Sequence, residues 1–444
     1  MNTHKPSFKD TLTIGLMLFA LYFGAGNLIF PSFLGQNAGS NVWIAVAGFL
    51  ITGVGLPLLG FLSLALSGKD DVQQLADGAG KLFGLIFSII LYLAIGPFFA
   101  IPRTGNVSFE IGVHPFVPAG SEKIALFVFT ILFFTLTYFL ARNPGKIVDV
   151  IGKYLAPIKL TLILIIIGVA IAWPMGAYQA PIGDYDTKSF FNSFQQGYLT
   201  LDTIASFAFG MVVLQAVRAK GAKTKKEVTS MGIKASLISM VLLMFIYGSL
   251  AYMGATSVSQ IGYVENGAQV LAKVSAFYFG TYGNLVLGIT IIVSCLTTSV
   301  GLTVATASFF NKIYPKIAIK RYVLVIAIFS AIIANLGLTQ LLAVSMPVLM
   351  VIYPMVICLV ILVLTNGLHG GSKPIYQLSM FFTFCVSLFD GFKTAGWDFA
   401  SGIQAFYATY LPWDNVGLGW IIPALCGGIL GYIITRIKGK TTET

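Results

Sequence analysis

Charge is what this chain has least of. Only 10% of its 444 residues are Asp, Glu, Lys or Arg, whereas soluble proteins carry about 25%. A large solvated surface is therefore excluded. Histidine is almost missing too, and His4, His114 and His369 all fall in connecting segments. With no histidine and no clustered carboxylates inside the apolar runs, a membrane enzyme has no acid/base set or metal ligands to work with. The four cysteines, Cys295, Cys358, Cys385 and Cys426, lie inside apolar runs without CxxC spacing, so neither a disulfide nor a metal centre is expected. No repeated filter or charged pore ring is present, which argues against a channel.

What remains is apolar. Hydrophobic residues make up 57% of the chain, in recurring runs of about twenty, each long enough to cross a hydrocarbon core of ~30 Å. The first run is about 25 residues, longer than the ~7–15 of a secretory signal, so a retained span is expected. Reading the runs against charge, Gly and Pro gives an all-α integral membrane protein with twelve spans: 11–37, 41–67, 81–104, 122–141, 145–173, 197–218, 229–255, 281–311, 321–338, 340–365, 374–391 and 416–436. The apolar stretch 268–279 is too short to span and reads as a helix lying on or dipping into the outer face.

The net charge of +11 is a topology signal rather than a nucleic-acid patch. Alternate gaps and both tails hold 20 of the 27 Lys and Arg, while the opposite side has Arg103, Lys123, Lys188, Lys273 and Lys393. Positive charge marks the cytoplasmic side, so both termini are expected in the cytoplasm. An even number of spans agrees. The predicted location is the inner (cytoplasmic) membrane, with no nucleic acid and no obligate protein partner.

Two spans carry interruptions: Gly24-Ala25-Gly26-Asn27 in the first, and Ser206-Phe207-Ala208-Phe209-Gly210 in the sixth. A helix broken at mid-membrane survives only where its freed backbone is buried in protein or lines a cavity. A break in each half of one chain is the sequence pointer to a transporter site. Half-helix N-termini suit a carboxylate and C-termini a cation or ammonium, so a zwitterionic amino acid with a co-transported cation fits. Asn27 adds a neutral oxygen. Isolated Gly-x-Gly pairs also serve helix packing, the reading adopted for Gly427 and Gly431. A dinucleotide fingerprint is excluded, since no strand precedes Gly24 and no third glycine follows.

In the eighth span, Ser294-Cys295-Leu296-Thr297-Thr298-Ser299 places Cys295, Thr298 and Ser299 on one helix face. Two hydroxyls and a freed carbonyl suit Na⁺; Ser/Thr bonding back to the preceding turn is the alternative. Asp149 and Lys153 read as a local i,i+4 ion pair. Lys159 lies about 20 Å along its helix, too deep to snorkel easily. Arg103, Glu110 and Asp202 lie near outer helix ends. They form either a solvated rim or a gate, an Arg103–Asp202 pair closing above the substrate.

The stretches Phe23-Gly-Ala-Gly-Asn-Leu-Ile-Phe-Pro31, Gly96-Pro-Phe-Phe-Ala-Ile-Pro-Arg-Thr104 and Cys295-Leu-Thr-Thr-Ser-Val-Gly301 resemble the bacterial branched-chain amino acid:cation symporters, within the amino acid–polyamine–organocation superfamily. The similarity covers nearly the whole chain. It implies the sodium-coupled leucine transporter-like fold as a single domain over 1–444. Its five-plus-five inverted repeats would be 11–173 and 197–365, with peripheral helices over 374–436. It also implies import of leucine, isoleucine and valine, a single domain without enzymatic activity and no cofactor beyond the co-transported ion.

By the same resemblance, the N–H groups of Ala25, Gly26 and Asn27 would hold the substrate carboxylate. Thr203, Ser206, Phe207 and Phe209 would receive the amine and flank the side chain, and Tyr92 and Gly96 would complete the pocket. Ala20 and Phe23 carbonyls with Thr298 and Ser299 would form the cation site. A second cation site is not expected, because its hydroxyl would fall at Ile204. Na⁺ is the favoured ion. H⁺ is the alternative, with the Lys159 ammonium replacing Na⁺. Another small amine, amino acid or nucleobase is the alternative substrate.

Overall fold

The computed structural model describes residues 7–69, 71–142, 146–397 and 401–441, without the side chains of 146–157, 211–212, 225 and 438–441. Among the described residues there is helix and no strand. Helix occupies each of the twelve predicted stretches. Among the described residues, seven helical stretches are long and apolar enough to cross a membrane by length and composition, and a bent pair over 189–219 makes an eighth. The expected Asp149–Lys153 pair lies outside the described side chains.

The first span is two helices, Phe8–Tyr22 and Ala25–Ala38, parted at Phe23 and Gly24. Gly24 is extended, and its N–H donates to Asn27 Oδ1 at 3.0 Å, so Asn27 caps its own half-helix. All of Ala25–Ala38 except Phe33 and Asn37 is buried, as befits a helix surrounded by protein. It is approached backbone to backbone. A Cβ on Gly35 would lie 1.9 Å from the Ala251 carbonyl oxygen, and one on Gly254 2.0 Å from that of Ser32. Glycine lets the helix Lys225–Ile261 come this close.

The sixth span leaves helical geometry before the predicted place and bends by 46° between Ser189–Gly210 and Val213–Ala219, directly after it. Helix Ser189–Gln196 tightens into the turn Gly197–Thr200, Leu201 takes φ +63°, and a new helix Asp202–Ala219 begins. Residues 206–210 are wound into that helix. Two glycines were available, and packing decided their roles. Gly197 sits where a Cβ would lie 1.9 Å from Thr52 Oγ1, whereas Gly210 leaves room for Leu64 of the second span. Asp202 sits in the first turn of the new helix, where its charge suits the N-terminal dipole.

The third span is also broken, against the continuous helix expected over 81–104. Helix Lys81–Leu93 widens into a π-turn at Ala94–Phe98, Gly96 leaves helical geometry (φ −93°, ψ −125°), and helix Ala100–Gly112 follows. Pro97 contributes no N–H and disfavours the helical region for Gly96. Helix Gly267–Ile313 turns at Gly280, φ +63°. The apolar outer segment therefore joins the eighth span at the expected place. Gly427 and Gly431 lie against the backbone of Leu378 and Ile375, the packing role assigned to them.

Ion pairs agree with the alternation of faces. Asp10–Lys220 (3.3 Å) and Asp71–Lys312 (2.5 Å) each join segments assigned to the basic face, and Lys393–Asp414 (3.3 Å) joins segments on the other. The backbone contact at Gly254 has a measurable consequence. Gly254→Val is expected to cost about 1–3 kcal/mol by overpacking, read as a lowered melting temperature in detergent. An unchanged melt would mean that Ala25–Ala38 is not held by this contact.

Candidate functional site

The three breaks converge on one cavity. A tight cavity of about 40 Å³ lies between Leu21, Tyr22 and 24–27 of the first span, Ile95, Ala100, Arg103 and Thr104 of the third, 200–202, Ala205 and Phe209 of the sixth, and Thr298 and Leu302 of the eighth. Its walls are apolar at Leu21, Ile95, Leu201, Phe209 and Leu302, with two charged side chains, Arg103 and Asp202.

Each charge is matched to the backbone end beside it. Arg103 is 6% exposed and donates to the carbonyls of Leu199 and of Thr200 (3.3 Å), which the turn before the sixth-span break leaves without helical partners. Its guanidinium lies 5.1 Å over the Phe30 ring. It also lies so near Gly26 that a Cβ there would be 3.0 Å from Nη2. Gly26 thus admits Arg103 to the half-helix end. Asp202, 3% exposed, accepts from Asn27 Nδ2 at 2.5 Å and Tyr247 OH at 3.2 Å, and Asn27 also reaches the Tyr247 hydroxyl.

The third fixed charge is Lys159. Its Nζ donates to the Phe23 carbonyl at 2.5 Å and lies 4.7 Å over the Phe23 ring, while the residue is 5% exposed. No carboxylate among the described residues pairs with it within 4 Å. A buried ammonium is costly unless bonded. Here the C-terminal end of Phe8–Tyr22 supplies both a carbonyl and the negative end of a dipole.

Against the sequence-based assignments, the cavity keeps Ala25, Gly26, Asn27 and Phe209 and drops others. Asn27 Oδ1 is spent on Gly24. Thr203 and Ser206 face Gly60 of the second span instead, and Ser206 donates to the Thr203 carbonyl at 2.7 Å. Phe207 is 2% exposed within the hydrophobic core. Tyr92 stacks on Phe309 at 3.9 Å, and Gly96 packs on Thr306. An unexpected break at Gly96 and the early turn at 197–201 change which side chains of the third and sixth spans face the cavity.

The cation set is likewise divided. Phe23 holds Lys159; Ser299 Oγ is 3.2 Å from Thr137 Oγ1; Thr297 and Thr298 bond back to the Ser294 carbonyl at 2.7 and 3.2 Å. Thr298 alone of the set lines the cavity, Cys295 is buried, and Ala20 is exposed. Arg103 and Asp202 are neither a solvated rim nor a closed ion pair. Both are buried, each on its own partners, because freed carbonyls claim the guanidinium first. Glu110 pairs with His114 at 3.2 Å. Tyr247 carried no sequence signal; the third-span break did, in the dipeptide Gly96-Pro97.

Two substitutions test this arrangement. Asn27→Ala removes the cap of Gly24 and a donor to Asp202, and is expected to cost about 1–3 kcal/mol of stability. Arg103→Lys keeps the charge but loses the fork that reaches two carbonyls. It is expected to lower the melting temperature as well, and retention of wild-type stability would rule out the clasp.

A family model described as "Branched-chain amino acid transport protein" matches residues 7–438. The branched-chain amino acid permease BrnQ of Bacillus subtilis (strain 168) is 52% identical over 438 residues, covering 99% of both chains. BraB of the same organism is 47% identical, with 99% of this chain and 98% of that one covered. BrnQ of Escherichia coli (strain K12) is 37% identical over the same shares. Among solved structures, Mhp1, a nucleobase-cation-symport-1 family transporter solved closed with bromovinylhydantoin bound, superposes with a TM-score of 0.59 at 11% identity, covering 99% of this chain and 96% of that one. MhsT in complex with L-phenylalanine gives 0.55 at 14% identity, covering 89% and 100%. At such identities the likeness is one of fold. With broken apolar helices meeting at a charged cavity and relatives matched end to end, the chain belongs to the branched-chain amino acid transport proteins, which are membrane permeases and not enzymes.

Proposed function

We propose that this protein is a secondary active symporter that carries leucine, isoleucine and valine into the cell by alternating access, driven by a cation gradient. The observation that carries this reading is the cavity where three helices break, with opposite charges fixed on its wall. The substrate carboxylate is received by the N–H groups of Ala25, Gly26 and Asn27 and by Arg103, and its amine by Asp202. Leu21, Ile95, Phe209 and Leu302 surround the aliphatic side chain. One methylene in such a pocket is worth about 1–3 kcal/mol, so discrimination among the three substrates is modest. The names of the permeases at 52% and 37% identity support the substrate class. The architecture proposed is twelve spans with both termini cytoplasmic in the inner membrane, repeats over 11–173 and 197–365, and peripheral helices over 374–436.

The ion needs its own argument. Na⁺ was favoured by hydroxyls at Thr298 and Ser299, but the ammonium of Lys159 already stands on the Phe23 carbonyl expected to ligate it. That position favours the alternative, in which a proton carried by Lys159 does the work of Na⁺. Deprotonation would release the Phe23 carbonyl and loosen the junction of the first span's halves.

Labelled leucine uptake into proteoliposomes separates the ions. Uptake is expected to follow an imposed pH gradient, inside alkaline, without Na⁺. Lys159→Gln is expected to abolish accumulation while leaving leucine counterflow. Uptake that needs Na⁺ at uniform pH and survives Lys159→Gln would restore the sodium reading, and absence of leucine uptake under both gradients would remove the substrate assignment.

A further inference from the structure

A second cavity lies on the face opposite the basic one, away from the helix breaks. It is formed by 184–195, the end of helix Lys373–Thr394 and the turn 414–417, with a volume of about 170 Å³ open on one side. Its floor is acidic. Asp390 is 5% exposed, lines the cavity, and has one carboxylate oxygen, Oδ2, buried without a hydrogen-bond partner. Beside it, Asp414, also 5% exposed, is paired with Lys393 at 3.3 Å. The rim is exposed and carries both signs of charge. Lys393 and Lys188 stand there with the exposed Asp184, and Lys188 Nζ donates to the Asn415 carbonyl at 3.0 Å. Phe191, Met350 and Val416 give one apolar wall.

A buried carboxylate oxygen without a partner calls for an explanation, and this one has a ligand-shaped setting. Among the described residues, the Asp390 carboxylate and the Lys188 ammonium each lack a partner of opposite charge within 4 Å, one at the bottom of the cavity and one at its mouth. We infer that this cavity is a second, outer binding site for an α-amino acid zwitterion, with its ammonium on Asp390, its carboxylate toward Lys188 and Lys393, and its side chain on Phe191, Met350 and Val416. A bare cation would meet the floor but leave the two rim lysines and the apolar wall unused, whereas a zwitterion engages all three.

The site also touches the transport machinery. Gln195 Nε2 donates to the Val416 carbonyl at 2.8 Å, and Gln195 lies in the helix that leads into the sixth-span break. Occupancy therefore bears on the segment that must move when the central cavity opens. The amino acid class rests on the transport reading above, and the orientation on the same basis.

Equilibrium binding of labelled leucine to the purified full chain in nanodiscs tests it. Two sites per chain are expected. Asp390→Asn is expected to weaken the outer one about ten- to a hundredfold, the cost of losing a charged hydrogen-bond partner, with the central site unchanged. Ala205→Trp, which fills the central cavity, is expected to abolish uptake and leave one site, the outer. Val416→Trp fills the outer cavity without touching a carboxylate and is expected to leave one site, the central. One leucine per chain alongside normal uptake overturns the outer site and spares the transport reading. Two sites retained in both Asp390→Asn and Val416→Trp overturn its location. Na⁺ binding lost in Asp390→Asn with leucine stoichiometry unchanged overturns the ligand. No leucine bound and none transported overturns the transport reading itself.

Discussion

Inside a bilayer a peptide carbonyl or N–H without a partner costs several kcal/mol, because lipid offers none. Among the described residues, this chain frees such groups in its first, third and sixth spans, and the surrounding structure is arranged to receive them. Lys159 crosses from the fifth span to the carbonyl at Phe23, and Arg103 crosses from the third to the carbonyls of Leu199 and Thr200. Asn27 turns back on Gly24 and forward to Asp202. The two buried cations among the described residues, Arg103 and Lys159, are both explained by this one demand.

The same demand makes the site two-faced. Charges that satisfy a broken helix are also the charges a zwitterion would recognise, so stability and recognition draw on the same side chains. Arg103 is committed to carbonyls and lies against Gly26, yet it remains on the cavity wall. Asp202 is bonded to Asn27 and Tyr247, yet it too borders the free space. A ligand entering there competes with or adds to bonds already made, and binding is thereby coupled to how the half-helices are held. That coupling is what a carrier requires and a static receptor does not.

Glycine plays two parts that a single sequence does not separate. Gly24 is a break, and Gly197 belongs to one. Gly35 and Gly254 are contacts, places where two backbones meet at distances no Cβ permits, and Gly210 spares room for the Leu64 side chain. The span bends by 46° just after Gly210, but overlooking the turn at Gly197 hid the earlier interruption that opens the cavity, and with it the placement of Thr203, Ser206 and Phe207. The Gly96-Pro97 dipeptide carried a clear signal, yet the apolar run around it is continuous in hydropathy, and hydropathy does not register a local change of backbone angle.

Composition alone determined the class of molecule, an all-helical protein of the membrane, because transfer of charge into hydrocarbon is costly wherever in the fold it occurs. Residue order also marked the first-span break and the isolated depth of Lys159. Which oxygen Lys159 would reach, that Arg103 and Asp202 would be buried and separately bonded, and that Tyr247 would join them are matters of distance between segments remote in sequence. Such distances are set when helices pack, with side-chain volume and backbone approach deciding register to within a turn. A one-dimensional pattern holds no record of that choice.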